Sequence, residues 1–178
     1  MFDPELQVLL SEFKVGIRRY LATIGHSKME NLADLIEFNL DHCEEELAFF
    51  GQEIFELAQA TSGLDDPTYL SARDTCLRLT RQQGIDRAFR QHRLDAIVGP
   101  VSPAPAVPHD TFDRANAAYT QVFNLTGWPS TAVRAGTSPD GLPIGVQVVA
   151  PPWREDVSLA VAGEIERALG PSLPGPAL

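Results

Sequence analysis

Hydrolytic chemistry by a serine or cysteine needs a base within reach of the nucleophile. No serine of this chain lies in a GxSxG elbow, and none has an evident partner. Ser102 comes nearest, in a Pro-rich loop after an apolar run, where α/β sheets tend to bind ligands. Only two lysines occur, Lys14 and Lys28, and no glycine-rich phosphate loop is present. Catalytic residues are therefore assigned to none of these positions. His42 and Glu46 stand one helical turn apart beside Glu45. Two neighbouring ligands do not hold a metal, so the group reads as a solvated acidic helix face. His109-Asp110 reads as a surface turn, because no nucleophile is near. Trp128, between Gly127 and Pro129, reads as a packing anchor or as the wall of a pocket at a helix-to-strand junction.

The elements that must position these residues follow from periodicity. Leu6, Leu9, Leu10, Phe13, Ile17, Tyr20 and Leu21 recur at three- and four-residue steps, which predicts a helix over 5–22. Asn31 with Asp34 starts a second helix, and Asp41 with Glu44 has the spacing of a capping box for a third. Phe49-Phe50-Gly51 predicts a turn with buried aromatics, followed by a helix over 54–60. Asp66-Pro67 opens a long helix over 67–92, weakened at Gly84. Asp95–Gly99 predicts a buried strand, and prolines at 100, 103, 105 and 108 impose extended coil. A helix over 114–126 precedes strands at 130–134 and 144–149, which should pair antiparallel around the turn at 138–141. A last helix, 155–169, should bury Val157, Val161, Ile165 and Leu169. The fold class is α/β: a helical N-terminal half plus a small mixed sheet, with strands near 95–98, 130–134 and 144–149, covered by helices.

Composition sets the outer bounds. The chain has 178 residues, 44% hydrophobic and 21% charged, enough for a packed core. A net charge of -10 argues against nucleic acid and anionic membrane as partners. No apolar run is long enough to span a bilayer, and the acidic start lacks the basic region of a signal peptide. Cys43 and Cys76 sit in helical patterns and read as a reduced, buried pair, which suits the cytoplasm.

The blocks LDAIVGPVSPAPA, NLTGWPSTAV and DGLPIGVQVVAPPWRED resemble the closing part of amidase signature enzymes. EFKVGIRRYL, NLADLIEFN, LAFFGQEIFELA and LDDPTYLSARDTCLRLTRQQGID resemble bacterial amidases of that family, in the same order and spacing. The resemblance implies a large mixed sheet with helices on both faces. It implies hydrolysis of carboxylic amides through an acyl-enzyme, with no metal or organic cofactor. The family's Ser–Ser–Lys triad lies in a Gly/Ser-rich segment nearer the N-terminus, and no such segment occurs here. Lys14 and Lys28 lie in blocks that resemble the later part of the family sequence. The chain is thus expected to be inactive alone: a single partial domain, 1–178, with 171–178 as a flexible tail, forming roughly the last two-fifths of an amidase.

A substrate-pocket role carries over to the loop Gly99–Pro105, hence Pro100, Val101, Ser102 and Pro103. It carries over also to the junction Asn124–Trp128, hence Asn124, Gly127 and Trp128. Glutamine-using relatives have an acidic residue about two helical turns before the Asn of this junction. Ala117 stands there, which argues for a less polar amide. The implied partners are a small-molecule amide in the complete enzyme, and either self-association or association with the missing N-terminal portion. The alternatives are an inactive truncated paralogue that binds a small molecule or partner, and an unrelated α/β binding module.

Overall fold

The computed structural model describes residues 2–26, 28–101, 120–139 and 142–170. The chain divides into two compact units, Met1–Leu77 and Arg78–Leu178.

The first unit is helical: α1 (Phe2–Thr23), α2 (Leu32–Asp41), α3 (Cys43–Glu46), α4 (Glu53–Gln59) and α5 (Pro67–Leu77). Its core joins Leu10, Leu32 and Ala58, with Leu6, Phe13, Ile17, Leu35, Ile36 and Phe55 packed around them. Burial of a side chain such as Leu32, 1% exposed, is worth about 1.5–3 kcal/mol. Polar groups tie the seams. Lys14 Nζ donates to the carbonyls of Gln59 and Thr61, at 2.6 and 2.8 Å, where the last turn of α4 leaves acceptors and partial negative charge. Tyr69 donates to Glu12 at 2.8 Å, and Gln52 links Asn39 to the Ile36 carbonyl.

Asn31 and Asp34 start α2 as expected, and they do so through a capping box. Asp41 does not cap a third helix, because α2 still contains it. His42 takes that position without a side-chain cap and stacks on Phe38. Two further expectations fail here. Phe49 and Phe50 are 94% and 79% exposed rather than buried. Cys43 is exposed because it opens a single-turn helix with no buried face, while Cys76 is buried as expected.

The second unit opens with a π-helical turn, Arg78–Ile85, and continues as α6 (Asp86–His92), β1 (Ile97–Pro100), α7 (Gln121–Thr126), β2 (Ser130–Thr137), β3 (Pro143–Val149) and α8 (Glu155–Leu169). The long helix expected over 67–92 is therefore interrupted. Gly84 has φ −105° and ψ −110°, and a Cβ there would sit 2.7 Å from the Leu79 carbonyl oxygen. Only glycine fits that crossing without displacing backbone.

The sheet order is β1-β3-β2, with both outer strands antiparallel to β3. Strands β2 and β3 pair as expected, and β2 runs on to Thr137 past an irregularity between Arg134 and Gly136. β1 starts two residues later than expected and is half exposed rather than buried, with Val98 50% exposed. Its one partner among the described residues is β3. Pro100 ends β1, a place where a missing N–H costs least. Of the expected helix over 114–126, only the portion in α7 falls within the described residues.

α8 packs against β2 and β3. Its most buried residues are Ser158 and Ala162, 1% and 5% exposed, whereas Leu169 is 43% exposed. The buried face is turned toward small side chains because Ser158 bonds the sheet directly. Its Oγ donates to the Val148 carbonyl at 3.0 Å and lies 2.6 Å from Thr131 Oγ1.

Candidate functional site

The site lies in the second unit, where β1 ends beside β3 and α7. The end of β1 is fixed by two bonds. Val101 N–H donates to the Gly145 carbonyl at 3.2 Å, and Gln147 Nε2 donates to the Pro100 carbonyl at 3.1 Å. Gln147, 4% exposed, also accepts from Ser130 Oγ at 3.3 Å, so one side chain ties both neighbouring strands. Gly145 has no side chain to crowd Val101: a Cβ there would lie 3.4 Å from Val101 Cγ2.

The junction after α7 is set by Gly127, whose φ of 67° is a left-handed C-cap and whose N–H donates to the Phe123 carbonyl at 2.9 Å. The chain then enters Trp128-Pro129, and the Pro129 carbonyl accepts from Ala150 N–H at 3.3 Å. Trp128 is 7% exposed and meets Phe89 edge-on, with ring centroids 4.9 Å apart. With Ile85, Phe89 and Val149 it forms the core of the unit, against which Ile97 and Phe123 pack.

These elements enclose a depression of about 190 Å³ lined by Ile97, Gly99, Pro100, Phe123, Gln147 and Val149. Pro100 is thus a wall, and Val101 stands next to it. Trp128 belongs to the core cluster, as the anchor reading expects, and is not among the lining residues. Asn124 is exposed on α7, and Gly127 is exposed at its cap. Ser102, Pro103, Ala117 and His109-Asp110 lie outside the described residues. Phe123 and Gln147 escaped the sequence reading. Gln147 carried a signal, being the one amide in the apolar run IGVQVV, since a buried amide must be bonded.

His42, Glu45 and Glu46 are all exposed, as the acidic-face reading expects. Cys76 is the one described cysteine in a core, and burial pushes its thiol pKa up, away from the reactive thiolate. No described helix is long and apolar enough to cross a membrane.

The chain shares sequence and fold with known proteins. The family model described as Amidase matches residues 6–159. The native peptide amidase of Stenotrophomonas maltophilia superposes with a TM-score of 0.83 at 37% identity, over 93% of this chain and 33% of that one. A probable amidase of Arabidopsis thaliana is 27% identical over 161 residues, 90% of this chain and 28% of its own length. A glutamyl-tRNA(Gln) amidotransferase subunit of Koribacter versatilis is 37% identical over 115 residues, 61% of this chain and 23% of its own length. The chain therefore spans a third or less of these relatives, a smaller share than the two-fifths expected. The blocks that resemble amidases fall within the matched residues, those of the second unit build a three-stranded sheet, and the fold is shared with a peptide amidase: the chain belongs to the amidase family.

Proposed function

We propose that this chain serves the hydrolysis of carboxylic amides as one part of a larger catalytic unit. It supplies sheet strands, covering helices and a wall of the pocket that holds the acyl side of the substrate. The observation that carries this reading is the apolar depression at the end of β1, built where the LDAIVGP, NLTGWP and IGVQVV blocks meet. In this reading Pro100, Val101, Ser102 and Pro103 have a substrate-binding role, with Pro100 lining the depression. Asn124, Gly127 and Trp128, at the junction after α7, share that substrate-binding role.

The nucleophile and its base, a Ser–Ser–Lys triad in this reading, come from outside the chain. The acyl group is apolar rather than glutamine-like. Ala117 at the place of the acidic residue and the apolar lining both support that choice. The two units act within one partial domain. Uncovered apolar side chains support the need for a complement: Phe49 and Phe50 in the first unit, Val98 and Trp153 in the second. Cys43 and Cys76, neither in a disulfide, suit a reducing, cytoplasmic setting.

The test mixes the chain with the nucleophile-bearing portion of a related amidase and follows ammonia released from phenylacetamide. Activity should appear in the mixture and be absent from either part alone. Ammonia release by the chain alone would overturn the proposal.

A further inference from the structure

The chain carries its charge unevenly. Between Glu30 and Gln59 stand nine Asp and Glu residues and no Lys or Arg. The other fifteen acids are nearly matched by the fourteen Lys and Arg residues, so this stretch holds nine of the ten net negative charges. Seven of the nine fall between Glu37 and Glu56, and all seven are exposed. Among the described residues none of the seven is in an ion pair.

The same stretch leaves large apolar side chains uncovered. Phe49 and Phe50 stand out ahead of α4. Ile54 and Leu57, three residues apart and so on one face of that helix, are 48% and 50% exposed. They cannot turn inward, because Phe55 and Ala58 of the same helix are packed with Leu10 and Leu32. Gln52, which precedes α4, is buried and bonded to Asn39 and to the Ile36 carbonyl, and this pins the turn after Phe50. Apolar surface held open in this way marks an interaction site. The acids around it in the sequence and the two phenyl rings all favour cations. Like charge disfavours both a second copy of the same surface and an anionic membrane. The described part of this unit has no strand. No sheet edge therefore accepts an extended peptide, whereas a helix satisfies its own backbone.

We infer that the segment Phe49–Leu57 docks a basic amphipathic helix of another polypeptide. The apolar face of that helix covers Phe49, Phe50, Ile54 and Leu57, and its Lys or Arg residues meet acids such as Glu53 and Glu56. The inference stands apart from the amide-hydrolysis reading, since it concerns the first unit alone and needs no turnover.

The probe is a labelled peptide of about five helical turns, with Leu on one face and Lys on the other. Its fluorescence anisotropy is followed as the full chain is added. Binding should saturate, and should weaken severalfold as NaCl rises to physiological strength. A scrambled peptide of the same composition keeps the charge but loses the apolar face, and should bind about tenfold more weakly. Phe49→Ser with Phe50→Ser should weaken the amphipathic peptide about tenfold, the loss of an interface anchor. Both side chains are exposed, so that variant should keep the parent's urea midpoint. Glu53→Gln with Glu56→Gln, an independent pair, should reduce the salt dependence. Three results overturn the inference: no saturable binding, equal binding of the scrambled peptide, or binding untouched by both pairs of substitutions. Two other occupants would also overturn it. One is a membrane, shown by cosedimentation of the chain with phosphatidylcholine vesicles. The other is a second copy, shown by a dimer of the parent chain that Phe49→Ser with Phe50→Ser dissociates. In every case the ammonia assay still judges the hydrolytic reading.

Discussion

Replacing Ser158 by alanine tests how α8 is held on the sheet. The side chain is 1% exposed, and its single hydroxyl hydrogen goes to the Val148 carbonyl at 3.0 Å. It must then accept from Thr131, whose Oγ1 is 2.6 Å away. Ser158→Ala deletes both bonds, each worth about 1 kcal/mol net. Alanine favours the helix over serine by roughly 0.5 kcal/mol, which offsets part of the loss. The expected net destabilisation is about 1.5 kcal/mol. With a urea dependence of about 1–3 kcal/mol per molar, the midpoint should fall by roughly 0.5–1.5 M. Trp128 fluorescence in a Trp153→Phe background reports this unit alone. A double-mutant cycle with Thr131→Val should return a coupling of about 1 kcal/mol. A loss under about 0.5 kcal/mol together with no coupling would refute the claim that these hydroxyls bind helix to sheet.

Two further outcomes follow from single groups. Cys43 is exposed, whereas Cys76 is 3% exposed with a thiol raised by burial. Iodoacetamide should therefore alkylate Cys43 first, with Cys76 reacting only on unfolding; equal rates read by peptide mass would contradict the packing of α5. Burial, and then the hydrogen bond to Glu12, raise the Tyr69 phenol above its ordinary value. The fold thus favours the neutral phenol, so its contribution is complete below about pH 10 and is lost as pH climbs through the folded value. The stability difference between the parent chain and Tyr69→Phe should be constant from neutral pH to about pH 9 and shrink above about pH 10. A constant urea-midpoint difference throughout would refute it.

Local rules made most of this fold legible. Asn31 and Asp34 announced the start of α2, Asp66-Pro67 that of α5, and Gly127 the end of α7, because caps and turns depend on a few neighbouring residues. What depends on distant partners was not legible. Phe49 and Phe50 look like core residues by type, but burial needs a covering surface, and none of the described residues supplies one. Gly84 reads in the sequence as a weak point of one helix. Its real role, a backbone crossing at the Leu79 carbonyl, depends on torsions that composition does not encode. In the site, Pro100 and Trp128 stand out through their blocks. Phe123 is hidden in a helical pattern, and Gln147 passes for one polar residue in a strand. The bonds of Gln147 to Pro100 and Ser130 exist only once three strands meet.

The central claim is that this amidase chain shapes an amide pocket but takes its nucleophile from elsewhere. A serine-directed fluorophosphonate probe with intact-mass detection tests it most directly. The account predicts that the chain alone stays unlabelled. When it is combined with the nucleophile-bearing portion of a related amidase, the label should fall on that portion. Stoichiometric labelling of the chain alone, at Ser102 or any other serine, would contradict it.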